Sequence, residues 1–194
     1  MRISRRRALG GLLACPIALA SPEVLEASLG VDDHFAPNAD EDVWQPLRFL
    51  LGTWASVNDG QPGKGTGRRV CRLVLNNRFL EVRNTTTYSP QSRNPKGETH
   101  RDLAYISYDR TRKIFVMRQF HIEGFVNTYV ANRVAAGDVQ FTSESIENIA
   151  PGWRARATYR RVSDTAWIEL FELAEPGADF AKYAEGRFAP VRSR

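Results

Sequence analysis

From Thr53 to Leu173 the chain reads as strand after strand, joined by short turns, with no helical pattern between any two of them. Segments 66–75 and 78–88 flank Asn76-Asn77, and asparagine tolerates the positive φ that a tight hairpin demands. Segments 103–108 and 113–121 flank the polar turn Asp109-Arg110-Thr111-Arg112. Further strands are predicted over 125–133, 139–144, 153–162 and 166–173. Such local antiparallel connectivity is a meander, and a meander this long removes its open edges by closing into a barrel. A β-sandwich is the alternative, and it usually needs a long connection between its sheets. Two longer loops exist. Residues 89–99 are read as a flap near the barrel mouth or as a surface loop, and residues 146–152 hold Pro151.

Before the strands, Val43, Trp44, Leu47, Leu50 and Leu51 recur at helical spacing behind Asp40, which can cap the helix, and Gly52 ends the run. This short one-sided helix has to cover something, and one end of a barrel fits. Residues 179–185 are predicted to add a last helical turn.

The first 20 residues read as an address. Ser4-Arg5-Arg6-Arg7-Ala8-Leu9 carries a twin-arginine pattern, an apolar run follows to Ala20, and Ala18-Leu19-Ala20 predicts cleavage before Ser21. A lipobox ending in Cys15 is the weaker alternative, because Pro16 follows the cysteine. The run is too short to span a bilayer, which takes about 20 apolar residues. Export to the periplasm or beyond is therefore expected, with residues 21–40 as a flexible linker and 41–194 as one barrel domain. Four of the 27 basic residues and none of the 22 acids lie in the leader, so the rest carries a net charge of +1. No basic footprint suggests nucleic acid, and no stable membrane insertion is expected after cleavage. Of the two cysteines only Cys71 remains, which excludes an internal disulfide; its alternation with Leu73 and Leu75 places it in the core.

Three motifs carry a family likeness: Phe49-Leu50-Leu51-Gly52-Thr53-Trp54, Asn77-Arg78-Phe79-Leu80-Glu81 and Tyr108-Asp109-Arg110-Thr111. Together they resemble secreted proteins of the DUF1579 type and, more distantly, nitrobindin-like haem barrels and the lipocalin-like calycin group. The resemblance covers about residues 41–175. It implies an all-β, antiparallel up-and-down barrel of about nine to ten strands with an interior cavity. It also implies that Gly52 and Trp54 are structural, with Trp54 packed at the closed end beneath a late-strand arginine, Arg160 or Arg161, and Trp44 beside it. Nitrobindin-like barrels hold haem through a late histidine. No histidine follows His121 here, and the final segment offers only Tyr159 and Tyr183 as donors. No cofactor is predicted, and haem is kept as an alternative.

The polar candidates cluster on one strand. His121, Gln119, Met117 and Phe115 share a face, which Glu123 joins if the strand continues. An apolar body with a few hydrogen-bonding groups is the make-up of a ligand site. In the opposing reading His121 ends the strand and Glu123 sits on a solvated turn, and a one-residue register slip turns the whole set outward. Arg118 lies on the opposite face, and Arg83 and Tyr105 share its ambiguity. Arg154, Arg156 and Arg160 read as an exposed basic stripe. His100-Arg101-Asp102-Leu103 imitates a kinase catalytic loop, but Ser107 replaces the required asparagine. His100 and Asp102 then become a surface pair. Gly63-Lys64-Gly65-Thr66-Gly67 fits no phosphate fingerprint and reads as a flexible hairpin connection. His34 falls in the linker, and no histidine, cysteine and acid grouping has metal spacing. The expected function is binding of a small, largely hydrophobic molecule. A cofactor-free enzyme using His121 as acid or base, oriented by Glu123, is the catalytic alternative.

Overall fold

In the computed structural model, residues 42–191 are described. The leader, the Cys15 alternative, the linker with His34 and the Asp40 cap lie outside them. Ten strands follow in chain order: β1 (Gly52–Gly60), β2 (Gly63–Val74), β3 (Phe79–Tyr88), β4 (Glu98–Asp109), β5 (Ile114–His121), β6 (Val126–Ala135), β7 (Asp138–Glu147), β8 (Arg154–Ser163), β9 (Ala166–Ala174) and β10 (Ala181–Pro190). Each pairs antiparallel with its chain neighbour, and β10 returns to pair with β1, so the sheet is a closed up-and-down barrel. Closure leaves no open edge.

The turns follow the sequence. Asn76 and Asn77 adopt φ of 53° and 59°, and Leu75 joins them at 50°, so β2 ends one residue earlier than the alternation predicts. Gly52 holds φ of 127° where the chain swings from the helix into β1, a conformation that side chains rarely adopt.

The predicted helix is a 3-10 helix, Gln45–Leu50. Its buried residues explain the type: Trp44, Leu47 and Leu50 step by three, the period at which 3-10 side chains align. Two indoles pin it to the barrel. Trp44 Nε1 donates to the Asn77 carbonyl at 2.7 Å, and Trp54 Nε1 donates to the Leu50 carbonyl at 2.8 Å. The helix thereby belongs to the apolar core that fills one end of the barrel, with Leu80, Ile106, Phe115, Met117, Phe141 and Trp167. Cys71 lies in the same core, and burial pushes its thiol up to about 12.

Two expectations are corrected and one open reading is decided. The helical turn over residues 179–185 is instead the start of β10, whose small inward residues Ala184 and Gly186 give no apolar stripe to announce a strand. Gly63 to Gly67 is not a loose connection but the first half of β2. Of the two readings of residues 89–99, the surface loop holds, and none of residues 89–97 lines the cavity. Gln91 staples them to β2, accepting from Lys64 N and donating to the Lys64 carbonyl, both at 2.8 Å.

Candidate functional site

Period-two alternation sends every second side chain of each strand inward, and the register sets which of them meet. Starting from Gly52, one inward row runs Cys71, Val82, Ala104, Gln119, Asn127 and Ile146 across β2 to β7. One step toward the open end it runs Trp54, Arg69, Asn84, Asp102 and His121 across β1 to β5. A further step brings Ser56, Gly67, Thr86 and His100. The interior therefore changes from apolar to polar within two residues of each strand. Above this transition lies a cavity of about 350 Å³, within the range of small-molecule sites.

Its floor is a stack. Trp167 and Phe188 lie parallel with ring centroids 3.7 Å apart, and the Arg69 guanidinium sits 4.6 Å above Phe188. Trp54 meets Trp167 edge-on. The arginine at this position comes from β2, an early strand. Arg160 and Arg161 are solvent-exposed instead, paired with Asp138 and Asp164. Because Trp167 and Phe188 face inward from β9 and β10, an inward Arg69 reaches them across the barrel.

A chain of polar contacts starts at that floor. Arg69 Nη2 donates to Glu169 Oε2 at 2.7 Å, and Arg69 Nε donates to Asn84 Oδ1 at 3.2 Å. Asn84 Nδ2 and Gln119 Nε2 each donate to the Asp102 carboxylate at 2.9 Å. Asp102 Oδ2 lies 3.5 Å from His100 Nε2, and His100 Nδ1 lies 2.8 Å from Glu123 Oε1. Burial alone would raise the Asp102 pKa, but His100, Arg69 and the two amides outweigh it and hold the carboxyl ionised. Burial also acts to deprotonate Arg69, and Glu169 keeps it charged.

The two cavity histidines diverge. His100, held by Asp102 and Glu123, is raised to about 9. His121 is lowered to about 4, chiefly by burial. Its ring stacks on Phe125 at 4.3 Å and lies 5.5 Å from the His100 ring. The Asn127 amide sits 3.3 Å from His121 Nε2 and 2.6 Å from the Tyr129 hydroxyl. His121 Nδ1 and Asn127 Oδ1 are buried without a hydrogen-bond partner. Two unpartnered buried polar atoms beside a cavity are groups a ligand can satisfy.

Of the residues read from the sequence, Gln119, His121 and Glu123 line the cavity. Both readings of Glu123 hold in part: it sits on the β5–β6 turn, yet its carboxylate returns to His100. Phe115 and Met117 share their face but lie deeper, sealed in the core, where Phe115 packs on Trp44 and Met117 Sδ meets the Tyr159 hydroxyl at 3.8 Å. Arg118, Tyr105 and Arg83 face outward. There Arg83, Tyr105 and Arg72 surround Glu81 and hold its carboxyl down to about 2, Arg83 most strongly. Arg154, Arg156 and Arg160 do share the outer face, but Arg156 and Arg160 are paired with Glu172 and Asp138. His100 and Asp102, read as a surface pair, are cavity groups, and Asp102 is buried. Arg69, Asn84, Asn127 and Glu169 carry no motif. Asn84 alone had a signal, since Leu80, Val82, Asn84 and Thr86 alternate against the charged set Glu81 and Arg83.

No protein-family model matches the sequence, and no curated protein matches it. A protein of unknown function from the DUF3598 family of Nostoc punctiforme aligns with 78% of this chain and 100% of its own at 8% identity, with a TM-score of only 0.27. Rv2717c from M. tuberculosis is 17% identical over 78% of this chain and 99% of its own, with a TM-score of 0.61. The likeness to Rv2717c is one of fold: this chain is a closed ten-stranded barrel of the same kind.

Proposed function

We propose that this protein is a binding barrel that holds a small molecule of largely apolar surface, oriented by His121, Gln119 and the polar row behind them. The observation that carries the reading is the cavity above the Arg69 floor, where Phe125, Ile146, Phe171 and Leu173 supply apolar wall beside the unpartnered atoms of His121 and Asn127. Burial of ligand apolar surface at about 25 cal/mol per Å² supplies affinity, and the polar atoms fix orientation. Four carboxylates, of Glu98, Asp102, Glu123 and Glu169, line the cavity against the cations Arg69 and His100. The wall therefore favours a neutral or cationic ligand over an anion. The likeness to nitrobindin-like, DUF1579-type and calycin barrels rests on sequence motifs. Haem is the weaker occupant, because its two carboxylates would meet this acidic wall; of the two late donors, Tyr159 is sealed in the core and Tyr183 lines the cavity. The twin-arginine pattern supports export as the route to the periplasm.

A titration with a neutral solvatochromic dye and its sulfonated analogue tests the reading. The neutral dye is expected to bind and brighten, the sulfonate to bind more weakly, and Ile146→Trp, which fills the cavity, to abolish both signals. Equal binding to wild type and Ile146→Trp would place the dye elsewhere and reject the cavity as the site.

A further inference from the structure

We propose that His100, His121 and Glu123 form a site for one divalent transition-metal ion, such as zinc, at the cavity mouth. One ligand atom from each residue lies within 4.8 Å of the other two. Two imidazoles and one carboxylate form a donor set that holds zinc with its fourth position open. At metal–ligand lengths of about 2.0–2.2 Å the donors of a tetrahedral ion lie roughly 3.4 Å apart, so the His100–Glu123 pair, now at 2.8 Å, opens slightly and the wider separations close by up to about 1.4 Å. Glu123, half-exposed on its turn, has room to make that adjustment.

The surroundings of the two imidazoles carry the inference further. Metal-bound histidines are oriented by a partner on their other ring nitrogen. His100 Nε2 faces Asp102, which is itself fixed by Asn84 and Gln119, so Nδ1 is turned toward Glu123. Asn127 Nδ2 lies 3.3 Å from His121 Nε2, and turning the amide over puts Oδ1 there to accept from Nε2–H, which leaves the lone pair on Nδ1, buried with no partner, for the ion. Asn127 is almost wholly buried and lies 2.6 Å from the Tyr129 hydroxyl, which holds it behind the site. The framework is stiff. Asp102 and His121 are paired across β4 and β5, and the turn bearing Glu123 is closed by Gly124 N donating to the His121 carbonyl at 2.9 Å. Asn148 Nδ2 donates to the Gly124 carbonyl at 2.8 Å and ties the turn to the next loop. Asp102 and Glu123 supply negative charge for a cation.

This inference goes beyond small-molecule binding and fails separately from it. The test is cobalt(II) titration of the full chain after chelator treatment, followed by its visible ligand-field bands, with zinc calorimetry alongside. One ion per chain is expected. His100→Ala and His121→Ala are expected to weaken binding on the order of 100-fold. Asp102→Asn, acting through His100, should weaken it by about 10–100-fold. Glu123→Gln sits on an exposed turn and decides the matter if a histidine variant fails to fold; it too should weaken binding. His34→Ala, the remaining histidine, and Ile146→Trp, which fills the cavity below, should both keep the bands. No bands in wild type, bands that survive His100→Ala with His121→Ala, or bands lost in His34→Ala would overturn the proposal.

Discussion

The same ten strands enclose two different interiors, and the Arg69 layer divides them. On the helix side, Leu47, Leu50, Ile106, Phe141, Trp167 and Phe188 are each no more than 2% exposed, and no charged side chain among the described residues belongs to that core. On the open side, Arg69, Glu169, Asp102 and His100 face the cavity, supported by the amides of Asn84, Gln119 and Asn127. Each strand thus contributes to both: β5 gives Phe115 and Met117 to the filled end, Gln119 and His121 to the open one. Filling one end lets the other hold buried charges around a cavity, because the stability lost there is offset by apolar packing elsewhere. The glycines follow the same division. Gly67 leaves space where a Cβ would come within 2.7 Å of Ser56 Oγ, so the open end narrows without a side chain intruding.

The largest expected difference between the ends is in stability. Trp167→Ala removes the indole beneath Arg69 and should cost about 3–5 kcal/mol in urea unfolding. Ile149→Ala at the cavity rim should stay within about 0.5 kcal/mol. Comparable losses at the two sites would break the division. Asp102→Ala comes next. It strips charged hydrogen bonds from Asn84 and Gln119 and should cost about 1.5–3 kcal/mol. It should also let the His100 pKa fall, a change that proton NMR of the imidazoles reads directly.

The histidines give a sharper test in metal-free protein. His100 is raised to about 9, so its contribution is complete below its unfolded value of 6.5 and is lost as pH rises toward 9. His121 is lowered to about 4, so its contribution is complete above 6.5 and is lost as pH falls toward 4. Adjacent rings should therefore titrate on opposite sides of 6.5. Both titrating together would mean that the cavity is more open to water than the geometry shows. The smallest effect is expected outside the barrel: Arg118→Ala should leave stability within about 0.5 kcal/mol and leave dye binding unchanged.

The barrel was legible because turn residues and period-two alternation are local signals. The site was legible where a strand carries both ends at once, as in Phe115, Met117, Gln119 and His121. Yet alternation alone gave no inward side for β4, where Tyr105 and Ala104 are both apolar and only the register turns Ala104 inward. Arg69 and Glu169 are 100 residues apart, and nothing local to either announces the other. A lone polar residue in a strand reads as solvent-facing unless the fold turns it toward a partner. The last strand was hidden for the opposite reason: with Ala184 and Gly186 as inward residues, its pairing with β1 and β9 makes it a strand rather than any apolar pattern of its own.

Native mass spectrometry of the protein purified from a bacterial host, beside the Ile146→Trp variant, tests the open cavity most directly. An added organic mass on the wild type, lost on denaturation and absent from the filled variant, is the predicted result. Haem, zinc and an organic ligand each leave a distinct mass. A wild type that carries no organic mass and takes up none of the neutral dye would contradict the account, as would an organic mass retained equally by Ile146→Trp.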